Sequence, residues 1–142
     1  AALAAERATK DDRARIKAAL AAMETSHDLD SAIAADKAFH LAILDATHNR
    51  VFQGFRGAID TILSTVFLVA VGSTGWFDDN LPNHATVAHA IDEANPRKAR
   101  AAMDQLLGFT RSKLAKKRSS GAKSPTAPRP ARLKVKRKQY VS

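Results

Sequence analysis

The chain has 142 residues, no cysteine and a formal net charge of +9 at pH 7, and this length suits one domain with an extension. The lack of cysteine excludes a disulfide scaffold, a zinc ribbon and a thiol nucleophile, and we expect a cytoplasmic protein. No run of about 20 apolar residues occurs, so the sequence predicts no transmembrane helix. The abundance of Ala, together with Leu, Lys and Arg, favours helices.

The charge is divided unevenly along the chain. Residues 1–109 hold 11 Lys and Arg against 14 Asp and Glu, whereas residues 110–142 hold 12 Lys and Arg and no acid. After about residue 117 the sequence is rich in Ser, Pro, Lys and Arg and buries too little apolar surface to offset the entropy of ordering. We therefore predict a helical domain over residues 1–117 and a disordered basic tail over residues 118–142.

Cap residues and apolar spacing predict a series of helices. In the first part of the chain we expect a helix that is truncated at its start, one from Lys10 to about Met23 after a Thr9 capping box, and one capped by Asp30 or Ser31 that ends near Thr47. In the second part we expect a long helix from Arg50 to about Val71 after Asn49, one that starts at Asn80 and ends near Ala94, and one from Pro96 to about Lys117.

No stretch alternates with a period of two, so no strand is predicted. The predicted fold class is all-α, an antiparallel bundle of about five to six helices with short connections. One apolar stripe lies on the long helix and is interpreted as core: Phe52, Phe55, Ile59, Ile62 and Val66. Trp76 and Phe77 fall in a predicted loop, where we expect them to cover one end of the bundle.

Asp36 and His40 lie one helical turn apart in "DKAFHLAILDATHN", on the apolar face that includes Phe39 and Ile43. His84 shares a second apolar stripe with neighbouring aliphatic residues in "LPNHATVAHAI". Buried charge is costly unless it is paired or bound to a metal. Two interpretations follow: a carboxylate–imidazole pair inside the core, or ligands of a divalent ion such as zinc or nickel.

The order of motifs in the chain carries a family resemblance. "LAAERAT" is followed by "DKAFHLAILDATHN", by "HATVAHAI", and then by Ala99 and Met103 at helical spacing. Over about residues 1–115 this sequence resembles the C-terminal effector-binding and dimerisation domain, termed FCD, of the FadR branch of GntR-type transcription regulators.

The resemblance implies a helical bundle around a central cavity, in which one Asp and three His bind a divalent metal of the zinc or nickel type and a small organic acid binds beside it. Carried over by position, the metal and acid ligands are Asp36, His40 and His84. The third His of the pattern falls on Leu106, which has no donor atom, so the implied metal site is incomplete or empty. Arg56 is a further cation that an acid could contact.

The predicted function is therefore an effector-sensing domain, not an enzyme, in a cytoplasmic homodimer. It would modulate DNA binding by a winged helix-turn-helix that precedes it in a longer chain, since this sequence starts without Met and holds no such module. Two alternatives stay open. One is a small metal-dependent enzyme in which the same Asp and two His activate water. The other is a nonspecific nucleic-acid-binding protein that acts through its basic tail.

Overall fold

The structure is a computed structural model that describes residues 1–70 and 76–121, with side chains described for residues 1–66 and 79–116. Within these residues every element is a helix and there is no strand, which confirms the all-α prediction. The helices are α1 Ala2–Arg7, α2 Lys10–Glu24, α3 Leu29–Asp45, α4 Arg50–Gly54, α5 Arg56–Ala70, α6 Trp76–Asp92 and α7 Pro96–Gly121. None of them is long and apolar enough to cross a bilayer.

The short helix α1 packs against three other helices. Its residues Ala4 and Ala5 are fully buried, and their small side chains let α1 pack closely against α3, α6 and α7. Around it, α2 packs against α3 and α6, and α6 packs against α7. The largest buried apolar side chains come from four of these helices: Ile16, Phe39, Val87, Ile91 and Leu106. The site described below lies where α3 and α6 approach this core.

Side-chain caps fix most of the helix starts. Thr9 and Asp12 form the predicted capping box, and Asn49 accepts hydrogen bonds from the first backbone N–H groups of α4. The cap of α3 differs from the prediction, because Asp28 accepts the Ser31 N–H at 2.8 Å. Asp30, one of the two predicted caps, lies instead in the first turn, where its charge favours the helix dipole.

The long helix that was predicted from Arg50 is divided at Phe55, whose backbone (φ −86°, ψ 1°) departs from helical geometry. Glycines at positions 54 and 57 flank this break and weaken helix formation on both sides. The predicted end near Val71 lies outside the described residues.

The interpretation of the long stripe as core is wrong for three of its members. Phe52, Phe55 and Ile62 are 45%, 55% and 60% exposed, whereas Ile59 and Val66 are half-buried. The reason is that α5 packs mainly on α3 and leaves most of its apolar face uncovered by the rest of the described chain.

Two boundaries in the second half also differ from the predictions. Helix α6 begins at Trp76, so Pro82 lies inside it and not in its first turn. Helix α7 begins at Pro96 as predicted but continues to Gly121, because Lys, Arg and Ser continue a helix at little cost. The side chains of residues 76 and 77 and the predicted disorder beyond residue 121 lie outside what the structure describes.

Candidate metal and ligand site

Helices α3 and α6 bring Asp36, His40 and His84 together. The Nε2 atom of His84 lies 2.9 Å from Asp36 Oδ1, and the Nε2 atom of His40 lies 3.6 Å from Asp36 Oδ2. One donor atom from each of the three residues lies within 4.8 Å of the others. Asp36 and His84 are buried and His40 is nearly so. The inward orientation that the sequence predicts for all three residues is therefore observed.

The tautomer of His84 is fixed by the backbone of its own helix. Its Nδ1–H donates to the carbonyl of Asn80 at 3.0 Å, so in the neutral ring Nε2 carries a lone pair. Although Nε2 is close to Asp36, the geometry is not that of a hydrogen bond. In the part of the chain that the structure describes, Nε2 is a buried nitrogen without a hydrogen-bond partner.

A lone pair that faces a carboxylate oxygen is repelled unless a proton or a cation lies between the two atoms. A divalent ion between the two atoms would accept the lone pair of Nε2 and bind the carboxylate oxygen. Metal-binding histidines commonly donate their other N–H to a backbone carbonyl, as His84 does. Metal–ligand bonds of about 2.1 Å at tetrahedral angles separate donor atoms by about 3.4 Å. The two imidazole nitrogens lie 2.9 and 3.6 Å from the Asp36 oxygens, on either side of this value, so the residues present fit a divalent metal after small side-chain movements.

His40 is suited to the same role by its surroundings. Burial lowers the pKa of His40, the Asp36 carboxylate opposes that effect, and the nearby His84 lowers the pKa further. The net decrease favours the neutral imidazole, which is the form that binds metals. The fully buried Phe39 ring packs edge-on against both imidazoles, with centroids 5.7 Å from His40 and 5.2 Å from His84. This contact restricts the orientation of both rings.

Two adjoining cavities meet at His40. The smaller has a volume of about 120 Å³ and is lined by Asp36, His40 and His84 together with Asn80, Leu106 and Thr110. The larger has a volume of about 420 Å³ and an almost wholly apolar lining. His40 lines both cavities, so a molecule in the larger one reaches the polar cluster.

The remaining predicted residues divide into two groups. Leu106 lines the small cavity beside the cluster, where a third histidine would complete the ligand set, whereas Gln105 lies on an exposed face of α7. Arg56 does not join the cluster. Its Nη1 atom donates to both carboxylate oxygens of Asp45, at 2.7 and 2.6 Å, and it lines a separate groove along α2 and α3.

Sequence reasoning missed the contribution of Asn80. It was assigned only as a helix start, yet its carbonyl orients His84 and its side chain donates to Thr110 at 3.4 Å. The available signal was its spacing, because the residue four positions before an inward histidine places its carbonyl beside that ring.

A second buried carboxylate, Asp12, has a structural role. It accepts hydrogen bonds from the backbone and hydroxyl of Thr9, contacts His48 Nε2 at 2.6 Å and pairs with Arg15. Burial favours a higher pKa for Asp12, but the contacts with Thr9, His48 and Arg15 outweigh it and hold the pKa well below its usual range. The cluster connects the start of α2 to the turn after α3.

These features define a class: an all-helical domain with a buried cluster of potential metal ligands beside an apolar cavity. A model of the FCD domain family matches residues 1–109, and the chain belongs to this family. FCD domains are regulatory ligand-binding domains of GntR-type transcription regulators. Among curated proteins, none matches the sequence.

Proposed function

We propose that this domain senses a small organic acid bound over a divalent metal of the zinc or nickel type, within a transcription regulator of the FadR branch. The observation that carries the proposal is the buried Nε2 of His84, which faces the Asp36 carboxylate without a hydrogen bond. Asp36, His40 and His84 would hold the ion, and Leu106 leaves one more position for water or the acid. The ion would supply positive charge to the carboxylate of the effector.

The position of the cluster suggests how binding is transmitted. The ligands come from α3 and α6, which both pack against α1. An effector that favours one arrangement of these helices shifts the population toward it, and α1 would pass the change to a DNA-binding winged helix-turn-helix that precedes the domain. Family membership supports a cytoplasmic homodimer, and sedimentation of the chain at several concentrations measures that state.

A calorimetric titration of the metal-free chain with zinc and nickel tests the metal site. The wild type is expected to bind one ion per chain, and His84→Ala is expected to abolish binding because it removes the unpartnered nitrogen. His89→Ala is the matched control, since His89 lies on the same helix with its side chain 74% exposed. Equal binding by the wild type and His84→Ala would remove the metal from the proposal.

The alternative function is a metal-dependent enzyme, in which an ion held by Asp36, His40 and His84 would activate water. The family consists of regulatory ligand-binding domains and is not known as enzymatic, which favours the sensor.

A further inference from the structure

The larger cavity beside the cluster has a distinctive chemical character. Most of its side chains are aliphatic, aromatic or thioether groups, among them Ile43, Leu63, Met103 and Leu107, and none of the Lys, Arg, Asp and Glu side chains that the structure describes lines it. Its volume of about 420 Å³ falls within the range of about 300–1,000 Å³ that is usual for ligand pockets. The cavity therefore has room for a hydrocarbon group of considerable size.

The polar groups in this lining are already occupied. The lining holds two polar side chains, His40 and Thr47. The Thr47 hydroxyl donates to the Leu44 carbonyl at 2.7 Å and accepts the Asn49 N–H at 3.3 Å, and His40 belongs to the metal cluster. A second carboxylate or a row of hydroxyl groups in this cavity would lose water without gaining partners, at a cost in affinity.

The nearest cations on α3 and α5 do not change this conclusion. Lys37 pairs with Asp60 at 2.8 Å, and Arg56 pairs with Asp45. Both cations line the separate groove along α2 and α3. Among the described residues no cationic side chain lines the larger cavity, so an ion held by the cluster would lie at the end of a cavity with apolar walls.

We propose that the effector is a monocarboxylate with a single apolar group, either an alkyl chain of about four to eight carbons or an aromatic ring. Its carboxylate binds the ion in the small cavity, and its hydrocarbon part extends into the larger one past the residues that line both, His40, Ile62, Leu63 and Leu107. This assignment rests on the proposed function, because the carboxylate of the effector is bound by the ion. Di- and tricarboxylates and sugar acids should bind less tightly, because the described lining offers no partners for their additional polar groups.

Calorimetry on the zinc-loaded chain with acetate, butanoate and hexanoate tests the assignment. Each methylene that becomes buried is expected to raise affinity about three- to fourfold, so hexanoate should bind at least about tenfold more tightly than acetate. Succinate should bind no better than acetate, and pentylamine, which has the same alkyl chain as hexanoate and the opposite charge, should not bind. Equal affinities for acetate and hexanoate, or tighter binding of succinate than of hexanoate, would overturn the assignment.

Two phenylalanines near the cavity provide a matched pair of variants. Phe52 is 45% exposed and lines the larger cavity, whereas Phe55 is 55% exposed and lies outside the lining. Since both side chains are largely exposed, neither substitution by alanine should prevent folding. Phe52→Ala should weaken hexanoate binding about fivefold and leave acetate binding unchanged, and Phe55→Ala should alter neither.

The two proposals fail in different ways. If the chain does not bind zinc, both the metal-dependent function and the effector class are overturned. If it binds zinc but affinity does not change with chain length, or if Phe52→Ala and Phe55→Ala behave alike, the effector class alone is overturned.

Discussion

At the residue scale, the two nitrogens of His84 have separate tasks. Nδ1 is bound to the Asn80 carbonyl, which leaves Nε2 directed at Asp36. The inward positions of Asp36, His40 and His84 could be predicted because residues four apart share a helix face and because His84 lies on an apolar stripe. The role of Asn80 and the packing of Phe39 could not be predicted from the sequence, because they depend on how α3 and α6 approach each other.

Replacing Leu106 by histidine should restore a four-residue ligand set. Leu106 is buried and lines the cavity with the cluster, so a His side chain at this position has a ligand atom close to the ion. We expect Leu106→His to raise zinc affinity about tenfold or more, as measured by competition with a chelating dye. Gln105→His is the control, because residue 105 lies on an exposed face. An unchanged affinity for Leu106→His, or an equal increase for both variants, would contradict the placement of the site.

The Asp12 cluster predicts a stability that depends on pH. Its pKa in the folded chain is lower than the ordinary 3.8, so the folded state holds fewer protons at this group than the unfolded state. The contribution of Asp12 is therefore complete above about pH 5 and is lost progressively as the pH falls below about 4.

Urea denaturation of Asp12→Asn measures this contribution. We expect the substitution to cost about 1–3 kcal/mol at pH 7, because it replaces a carboxylate that accepts charged hydrogen bonds, and the difference from wild type should shrink toward pH 2. Asp11→Asn, at an exposed position in the same first turn, should change the free energy of unfolding by less than about 0.5 kcal/mol. A loss that is the same at pH 7 and pH 2 would contradict the assigned pKa direction.

At the element scale, helix starts could be predicted where a side-chain cap is present, as at Thr9 and Asn49. The division between α4 and α5 could not, because an apolar stripe indicates that a face packs against something without identifying the partner. The same ambiguity led to the wrong interpretation of Phe55 and Ile62 as core. Both are exposed in the folded chain.

Helix α7 contains a glycine that contributes no packing. A Cβ atom at Gly108 would have no heavy atom within 4 Å, so alanine fits without strain. We expect Gly108→Ala to raise the free energy of unfolding by about 0.5–1 kcal/mol through a lower entropy of the unfolded chain. The reverse change at an exposed position of the same helix, Ala101→Gly, should lower it by a similar amount. A loss of stability in Gly108→Ala would show that the space around it is filled.

At the scale of the whole molecule, the basic charge and the candidate ligand site lie in different parts of the chain. The mildly acidic residues 1–109 contain the apolar cavity and the candidate metal cluster, and the basic charge is concentrated after residue 109. We propose that the basic tail adds nonspecific phosphate contacts when the regulator binds DNA.

Deleting residues 122–142 from the complete regulator removes seven Lys and Arg. Each phosphate contact that is lost should reduce the slope of log affinity against log salt concentration by about 0.9, so the deletion should flatten this slope. Filter binding to one DNA duplex between 50 and 300 mM salt measures it. An identical slope for both proteins would exclude a role of the tail in DNA binding.

Native mass spectrometry of the chain, after incubation with zinc and removal of excess ion, tests the metal cluster most directly. We predict a wild-type mass that includes one zinc ion per chain, the same mass increment for His89→Ala, and none for His84→Ala or Asp36→Ala. A wild-type chain free of zinc, or an equal zinc content in all four proteins, would contradict a metal site formed by Asp36, His40 and His84.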